Sequence, residues 1–246
     1  MTESLSASRA FRTSHALWRV IDWVYPPRCA GCGKLGVRWC VDCQAKVKVI
    51  PQNNICPLCG IPQPGSVLCQ ECIAYQPVYT AVRSWGWYEG TLRSAIHRLK
   101  YHSDMGVSEE LAKPLTHLLL DLNWQVDLVT AVPLSQKRRR ERGYNQSALL
   151  AVWLGLTTGI HFQESVIDRT RDTNSQVGLH AHQRRQNVMG AFTARPQIAA
   201  GKSILILDDV TTTGATMQAC AQALQAAGAS RIYGLTLARA GQIHLS

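Results

Sequence analysis

The sequence predicts an α/β fold built on a parallel sheet, preceded by a small domain that depends on metal. Three observations carry this. From about residue 80, apolar strand-like runs alternate with patterns of helical period, the mark of strands joined by helical crossovers. One such run, Ile204–Leu207, stops on Asp208 and Asp209 and leads through a Thr-rich turn into a helix pattern. Ahead of these elements stand four C-x-x-C pairs between residues 29 and 72.

With 246 residues the chain is long enough for a real core in one of two domains. Its hydrophobic fraction of 46% and charged fraction of 17% are ordinary for a globular chain. Lys and Arg outnumber Asp and Glu by 26 to 16, a balance that fits polyanionic ligands or nucleic acid without selecting either. Two all-thiolate zinc sites would trim that surplus. Arg19 and Asp22 interrupt the only early apolar stretch, so no secretory leader is expected. No run approaches the roughly 18 apolar residues of a membrane span. The expected location is therefore cytoplasmic, with a peripheral position at the inner membrane face as a variant. The composition divides the chain into an extension over 1–28, a cysteine-rich domain over 29–78 and an α/β domain over 79–246.

In the extension, Leu17, Val20, Ile21 and Val24 form a short amphipathic segment ended by Pro26 and Pro27. Packing against the rest of the protein is its expected role, and a membrane-surface helix is the alternative. The cysteines follow as a near-duplication, C-x2-C-x7-C-x2-C and then C-x2-C-x9-C-x2-C. Pro51, Pro57, Pro62 and Pro64 leave this segment little regular structure, so metal must supply what a small core cannot. Two knuckles give a tetrahedral, four-thiolate shell with no open position, the form of a structural zinc site. Cys29, Cys32, Cys40 and Cys43 are assigned to one Zn²⁺, and Cys56, Cys59, Cys69 and Cys72 to the other. A cross-braced pairing, first knuckle with third, is the rival. A redox role fits less well, because such motifs come singly. The ninth thiol, Cys220, falls on the inward face of a helix pattern and reads as core.

Beyond residue 80, helical patterns occupy roughly 91–100 and 107–122. A strand follows at Leu128–Val132, a helix at Gln146–Leu156 and a short strand at Val166–Ile167. Then come a strand at Ser203–Leu207, a helix over 215–227 and a strand at Ile232–Ala238. In the last helix Met217, Cys220, Ala221, Leu224 and Ala227 repeat at helical spacing before Gly228. Ligands of such sheets bind beyond the strands' carboxyl ends, where Asp208 and Asp209 are expected.

The turn after those acids offers backbone N–H groups and hydroxyls at a helix N-terminus, an anion cradle. A carboxylate pair beside a phosphate cradle needs a reason. Sugar hydroxyls supply one, since ionised carboxylates only accept hydrogen bonds and a ribose diol donates two. A Walker A loop is excluded, because no Lys follows Lys202. A Rossmann fingerprint is excluded as well, because Gly214 stands alone. The segment 133–146, PLSQKRRRERGYNQ, sets Lys137, Arg138, Arg139, Arg140 and Arg142 close together after a strand. It reads as a charged loop, either a phosphate contact or a solvated turn. The polar stretch 169–187 is too long for a plain connection and reads as a lid.

The run ILILDDVTTTGAT resembles the 5-phosphoribosyl 1-pyrophosphate (PRPP) motif of type I phosphoribosyltransferases. From about Val24 to Ala238 the chain resembles the ComF/GntX family of bacterial competence and DNA-utilisation proteins. PPRCAGCG, ICPLCG, YEGTLRSAIHRLKY, AVPLSQKRRRERGYNQS, TRDTNSQVGLHAHQRRQNVMGAF and LILDDVTTTGATM carry that resemblance. It implies a parallel α/β sheet of the type I phosphoribosyltransferase kind behind a double zinc ribbon, and a role in internalising or using external DNA. Asp208 and Asp209 would then be the catalytic acids holding the ribose hydroxyls. Thr211, Thr212, Thr213, Gly214 and Thr216 would wrap the 5-phosphate. Pro133, Leu134 and Ser135 would form the pyrophosphate loop and 169–187 the catalytic loop, with Arg142 and Arg184 as pyrophosphate contacts. Mg²⁺ would accompany PRPP.

Hypoxanthine–guanine transferases carry an Asp where Thr212 stands, which argues against that substrate class. The implied chemistry is displacement of pyrophosphate at the anomeric carbon, dominated by positioning and charge stabilisation. The alternative is an inactive adaptor for single-stranded DNA. Such an adaptor would use the basic segment with Trp85, Trp87, Tyr88 and Tyr101, although those aromatics also fit plain packing. DNA-uptake proteins are the expected partners, and the acceptor stays open.

Overall fold

The computed structural model describes residues 26–101, 104–171 and 181–241, without the side chains of residues 181, 182, 184 and 185. The amphipathic segment read at 16–24 and the centre of the lid, 172–180, lie outside the described residues.

In each cysteine cluster the second knuckle opens a short helix that carries the fourth cysteine, Cys43 in α1 (Val41–Ala45) and Cys72 in α2 (Gln70–Tyr75). Single bridges, Arg28 to Leu35 and Ile55 to Pro62, close the knuckle hairpins. The α/β part then runs β1 (Ala81–Trp87), α3 (Gly90–Tyr101), α4 (Val107–Leu122) and β2 (Leu128–Ala131). It continues with α5 (Gln136–Arg142), α6 (Gln146–Thr158), β3 (Ile167–Arg169), α7 (Ala181–Val188) and β4 (Phe192–Ala194). It ends with α8 (Pro196–Ala199), β5 (Ser203–Thr211), α9 (Ala215–Ala226) and β6 (Arg231–Arg239).

Four strands form one parallel sheet in the order β1-β6-β5-β2. The central strand β5 reads apolar because it is covered on both faces. Leu205 and Leu207 join one core with Leu92, Ile96, Leu115 and Leu150 of α3, α4 and α6. Ile204 and Ile206 point into the other, with Met217, Cys220 and Leu224 of α9. Each of those four strand side chains is fully buried, contributing about 1.5–3 kcal/mol. Strands β3 and β4 pair antiparallel as a separate ribbon whose Val166 neighbour, Ile167 and Phe192 pack into this second core.

Besides α7, which falls within the stretch read as a polar lid, and the unread β4 and α8, three elements differ from the sequence reading. β1 is absent from that reading because Arg83, Ser84 and Gly86 dilute its apolar pattern. Its buried hydroxyl is accounted for internally: the Ser84 and Thr236 hydroxyls lie 2.8 Å apart, buried between β1 and β6. Gly86 is required by close approach, since a Cβ there would stand 2.9 Å from Leu92 Cδ2 and 3.2 Å from the Lys48 carbonyl. The second difference is that the basic segment is a helix and no loop. Ser135 caps α5 by accepting the Arg138 N–H, and Gly143 ends it at φ 77. The third is that β5 does not stop at Leu207. It pairs with β2 only as far as Ala131 opposite Leu207, but continues along β6 to Thr211 opposite Arg239.

The cysteine-rich segment lies along the outer edge of β1. Val82 N–H donates to the Leu58 carbonyl at 2.7 Å and Trp87 N–H to the Lys48 carbonyl at 2.9 Å. In the other direction Ile50 N–H donates to the Trp85 carbonyl at 2.9 Å. Thr91 Oγ1 donates to the Cys43 carbonyl at 2.7 Å, tying α3 to the first cluster.

Candidate functional site

The extra length of β5 builds the site. Because β2 has ended, the last residues of β5 pair with β6 alone, and Asp208 meets the first turn of α6 instead of a strand. Asp208 Oδ1 accepts from Ser147 Oγ at 3.0 Å and from the Asp209 N–H at 2.9 Å. Burial, then the neighbouring Asp209 charge, pushes the Asp208 carboxyl up to about 7, against the pull of Lys100, the Asp209 N–H and Ser147. Asp209 is 4% exposed, and its Oδ2 stands 2.8 Å from Lys100 Nζ. Burial works against the Lys100 ammonium, but the Asp209 carboxylate outweighs it and holds the pKa above its usual value.

After Thr211 the chain turns. Thr213 Oγ1 accepts the Ala215 N–H at 3.4 Å, and Gly214 takes φ 75 as the residue before α9. Left-handed backbone here suits glycine, which lacks the Cβ that would strain it. A cavity of about 390 Å³ opens at this turn, within the range of small-molecule sites. Asp208, Thr211, Thr212, Gly214 and Thr216 line it on one side, and Lys100, Tyr88, Tyr101, Arg138 and Arg142 on the other. Arg142 is held in place: its Nη1 donates to Gln146 Oε1 at 2.9 Å, and its guanidinium lies 5.0 Å from the Tyr101 ring centre.

The sequence-expected residues therefore separate into groups. Asp208, Thr211, Thr212, Gly214, Thr216 and Arg142 come together around one cavity. Asp209 sits beside it, engaged with Lys100. Thr213 serves the turn itself. Leu134 and Ser135 do not line the cavity, and the Ser135 hydroxyl is committed to capping α5. The side chain of Arg184 lies outside the described ones, although its backbone belongs to α7.

Lys100 and Ser147 escaped the sequence reading. Lys100 had a signal: it follows Leu92 and Ile96 at four-residue spacing, a charge inside an apolar helical stripe. Ser147 had none beyond its place in the first turn of α6, which Asn145 caps by accepting the Ser147 N–H.

Both cysteine clusters converge. In each, four sulfurs lie within 4.8 Å of one another, grouped Cys29, Cys32, Cys40, Cys43 and Cys56, Cys59, Cys69, Cys72. This is the sequential pairing and excludes the cross-braced rival. A tetrahedral ion with Zn–S of about 2.3 Å sets ligand sulfurs about 3.8 Å apart. Cys29 to Cys40 is 3.6 Å, Cys32 to Cys40 is 3.8 Å and Cys59 to Cys69 is 3.6 Å. Backbone N–H groups of Gly31 and Cys40 point at Cys29 Sγ, and that of Cys69 at Cys56 Sγ, as thiolates need. Both clusters fit structural Zn²⁺, with all four positions filled by protein. Mg²⁺ would meet a single cavity-facing carboxylate, Asp208, and this ion commonly uses one or two carboxylates plus substrate phosphates. The donor set is compatible with it.

A double zinc ribbon domain family matches residues 20–73, and a phosphoribosyl transferase domain family matches residues 134–243. The DNA utilization protein YhgH of Escherichia coli O157:H7 is 33% identical over 186 residues, covering 73% of this chain and 82% of that protein. The chain belongs to the ComF/GntX family. Other members include Competence protein F of Haemophilus influenzae, 30% identical over 82% of this chain and 90% of that protein. Competence protein ComFC of Bacillus subtilis is 27% identical over 81% of this chain and 83% of its own length. This ComF/GntX protein has the parallel α/β architecture of a phosphoribosyltransferase behind two zinc-ribbon clusters. Among its described residues no helix is long and apolar enough to cross a membrane.

Proposed function

We propose that the protein binds PRPP with Mg²⁺ in the cavity at the end of β5 and serves the uptake or use of external DNA. The observation that carries this is the meeting of Asp208 and the Thr211–Thr216 turn with Arg138 and Arg142 across one cavity. The turn's hydroxyls and N–H groups suit the 5-phosphate. The Asp208 carboxylate suits a ribose hydroxyl, and the two arginines suit the pyrophosphate. Asp209, held by Lys100, sets the charge around Asp208 from beside the cavity. When bound, Mg²⁺ would supply charge neutralisation on the pyrophosphate. The role in DNA handling is supported by the relatives, a DNA utilization protein and two competence proteins.

Calorimetric titration tests the reading. PRPP with Mg²⁺ should bind saturably, and Asp208→Asn or Arg142→Ala should weaken it by at least roughly tenfold, the scale of one charge-assisted contact. No binding of millimolar PRPP to the wild-type protein sinks the proposal.

A second reading, grip on single-stranded DNA, is favoured by the exposure of Lys137, Arg138, Arg139 and Arg140 on α5 beside the exposed ring of Tyr101. Phosphate contacts make such affinity fall steeply with salt, and ring stacking adds to it. DNA binding indifferent to both salt and neutralisation of these four side chains removes it.

A further inference from the structure

We propose that Lys100 is the standing counter-ion of the acidic strand end and keeps a bare divalent cation from settling there when the cavity holds no ligand. The identity of that ligand rests on the PRPP reading above, whereas the role of the lysine rests on geometry alone. Lys100 lies between the two matched families, 20–73 and 134–243, and is covered by neither. An ammonium in an apolar helical stripe is costly unless an opposite charge meets it. Here one does: Nζ and Asp209 Oδ2 are 2.8 Å apart, with side chains 16% and 5% exposed. The last turn of α3 is fixed from across the cavity as well. Tyr144 Oη donates to the Leu99 carbonyl, and Arg142 rests over Tyr101. Both tethers come from the α5–α6 junction, so the lysine cannot drift from its partner without moving the cavity wall.

A carboxylate lining the cavity with a second one buried beside it would together draw a hard divalent ion, since such ions take carboxylate oxygens and respond to the summed charge. Lys100 halves the charge of that pair and already occupies Asp209. Asp208 alone is left facing the cavity. One carboxylate is a poor site for a cation that gives up its waters reluctantly. It becomes sufficient once a pyrophosphate brings further oxygens. The metal therefore arrives on the ligand, and the protein supplies Asp208 as its last anchor.

The test uses Mn²⁺ as the probe, followed by electron paramagnetic resonance or calorimetry on the zinc-loaded protein. Without any phosphate ligand and at pH 8, where Asp208 is ionised, Lys100→Gln should bind Mn²⁺ at least about tenfold more tightly than wild type, because no ammonium then offsets the charge of Asp209. Adding Asp209→Asn to that variant should abolish the gain. A lysine that only supports packing would leave Mn²⁺ affinity unmoved, and equal affinity of Lys100→Gln and wild type overturns the proposal. Should Lys100→Gln fail to fold, the wild-type protein decides. Its Mn²⁺ affinity should rise at least about tenfold when inorganic pyrophosphate is present, and tight Mn²⁺ binding without pyrophosphate overturns the proposal. Failure of PRPP itself to bind would remove the ligand reading and leave the Lys100→Gln comparison standing.

Discussion

Replacing Asp208 by Asn should make the protein more stable above neutral pH while weakening its ligand binding. Asn preserves the shape of the side chain, and its Oδ1 still accepts from Ser147 Oγ and the Asp209 N–H as Asp208 does at 3.0 and 2.9 Å. What it removes is a charge that burial and Asp209 oppose, raising the folded-state pKa to about 7. The sign follows from linkage. Below about pH 4 the carboxyl is protonated in both states and costs nothing. From there to about pH 7 the unfolded chain ionises while the folded one resists, so wild-type stability falls as pH rises. Above that the penalty is constant. Three decades of proton affinity at about 1.4 kcal/mol each make it about 4 kcal/mol at most.

Urea denaturation of both proteins with zinc held constant measures the difference at pH 5, 6, 7 and 8. The advantage of Asp208→Asn should grow by more than about 1 kcal/mol between pH 5 and 8, which is several degrees in Tm for a chain of this size. An advantage that is absent, or the same at both ends of the range, refutes the buried-charge argument.

Two further outcomes are expected. Metal analysis should find two Zn²⁺ per chain, and Cys59→Ala should reduce that to one; a single zinc in the wild type contradicts the two separate clusters. Gly86→Ala should destabilise the fold by about 1–3 kcal/mol, because its Cβ would meet Leu92 Cδ2 at 2.9 Å and the Lys48 carbonyl at 3.2 Å. A neutral Gly86→Ala in denaturant titration would mean that β1 and its covering segment do not pack as described.

The sequence made some of this plain and concealed the rest for identifiable reasons. Four fully buried aliphatic residues in a row announced the core of β5, and a 3.6-residue repeat announced α9. The polar end of β5 could not be read as strand, because Asp208 to Thr211 pair with β6 alone and only Val210 among them is apolar. β1 hid for a related reason: its partners satisfy Ser84 and crowd Gly86, and neither residue carries strand propensity of its own. α5 has no buried side chain, so helical periodicity had nothing to mark. At the site, the PRPP-like turn stood out because its chemistry is contiguous in sequence. The Lys100–Asp209 pair joins residues more than a hundred positions apart, and only the packing of α3 over the sheet reveals it.

The seam between the cysteine knuckles and β1 has a consequence for the newly made chain. A terminal strand with unsatisfied main-chain groups invites pairing with another molecule. In this protein those groups are occupied by Leu58, Lys48 and Ile50, stretches with little to shape them beyond the thiolate clusters on either side. Starved of zinc, the polypeptide would bare that strand before it lost the rest of its sheet. Metal supply would then govern whether chains self-associate along that edge.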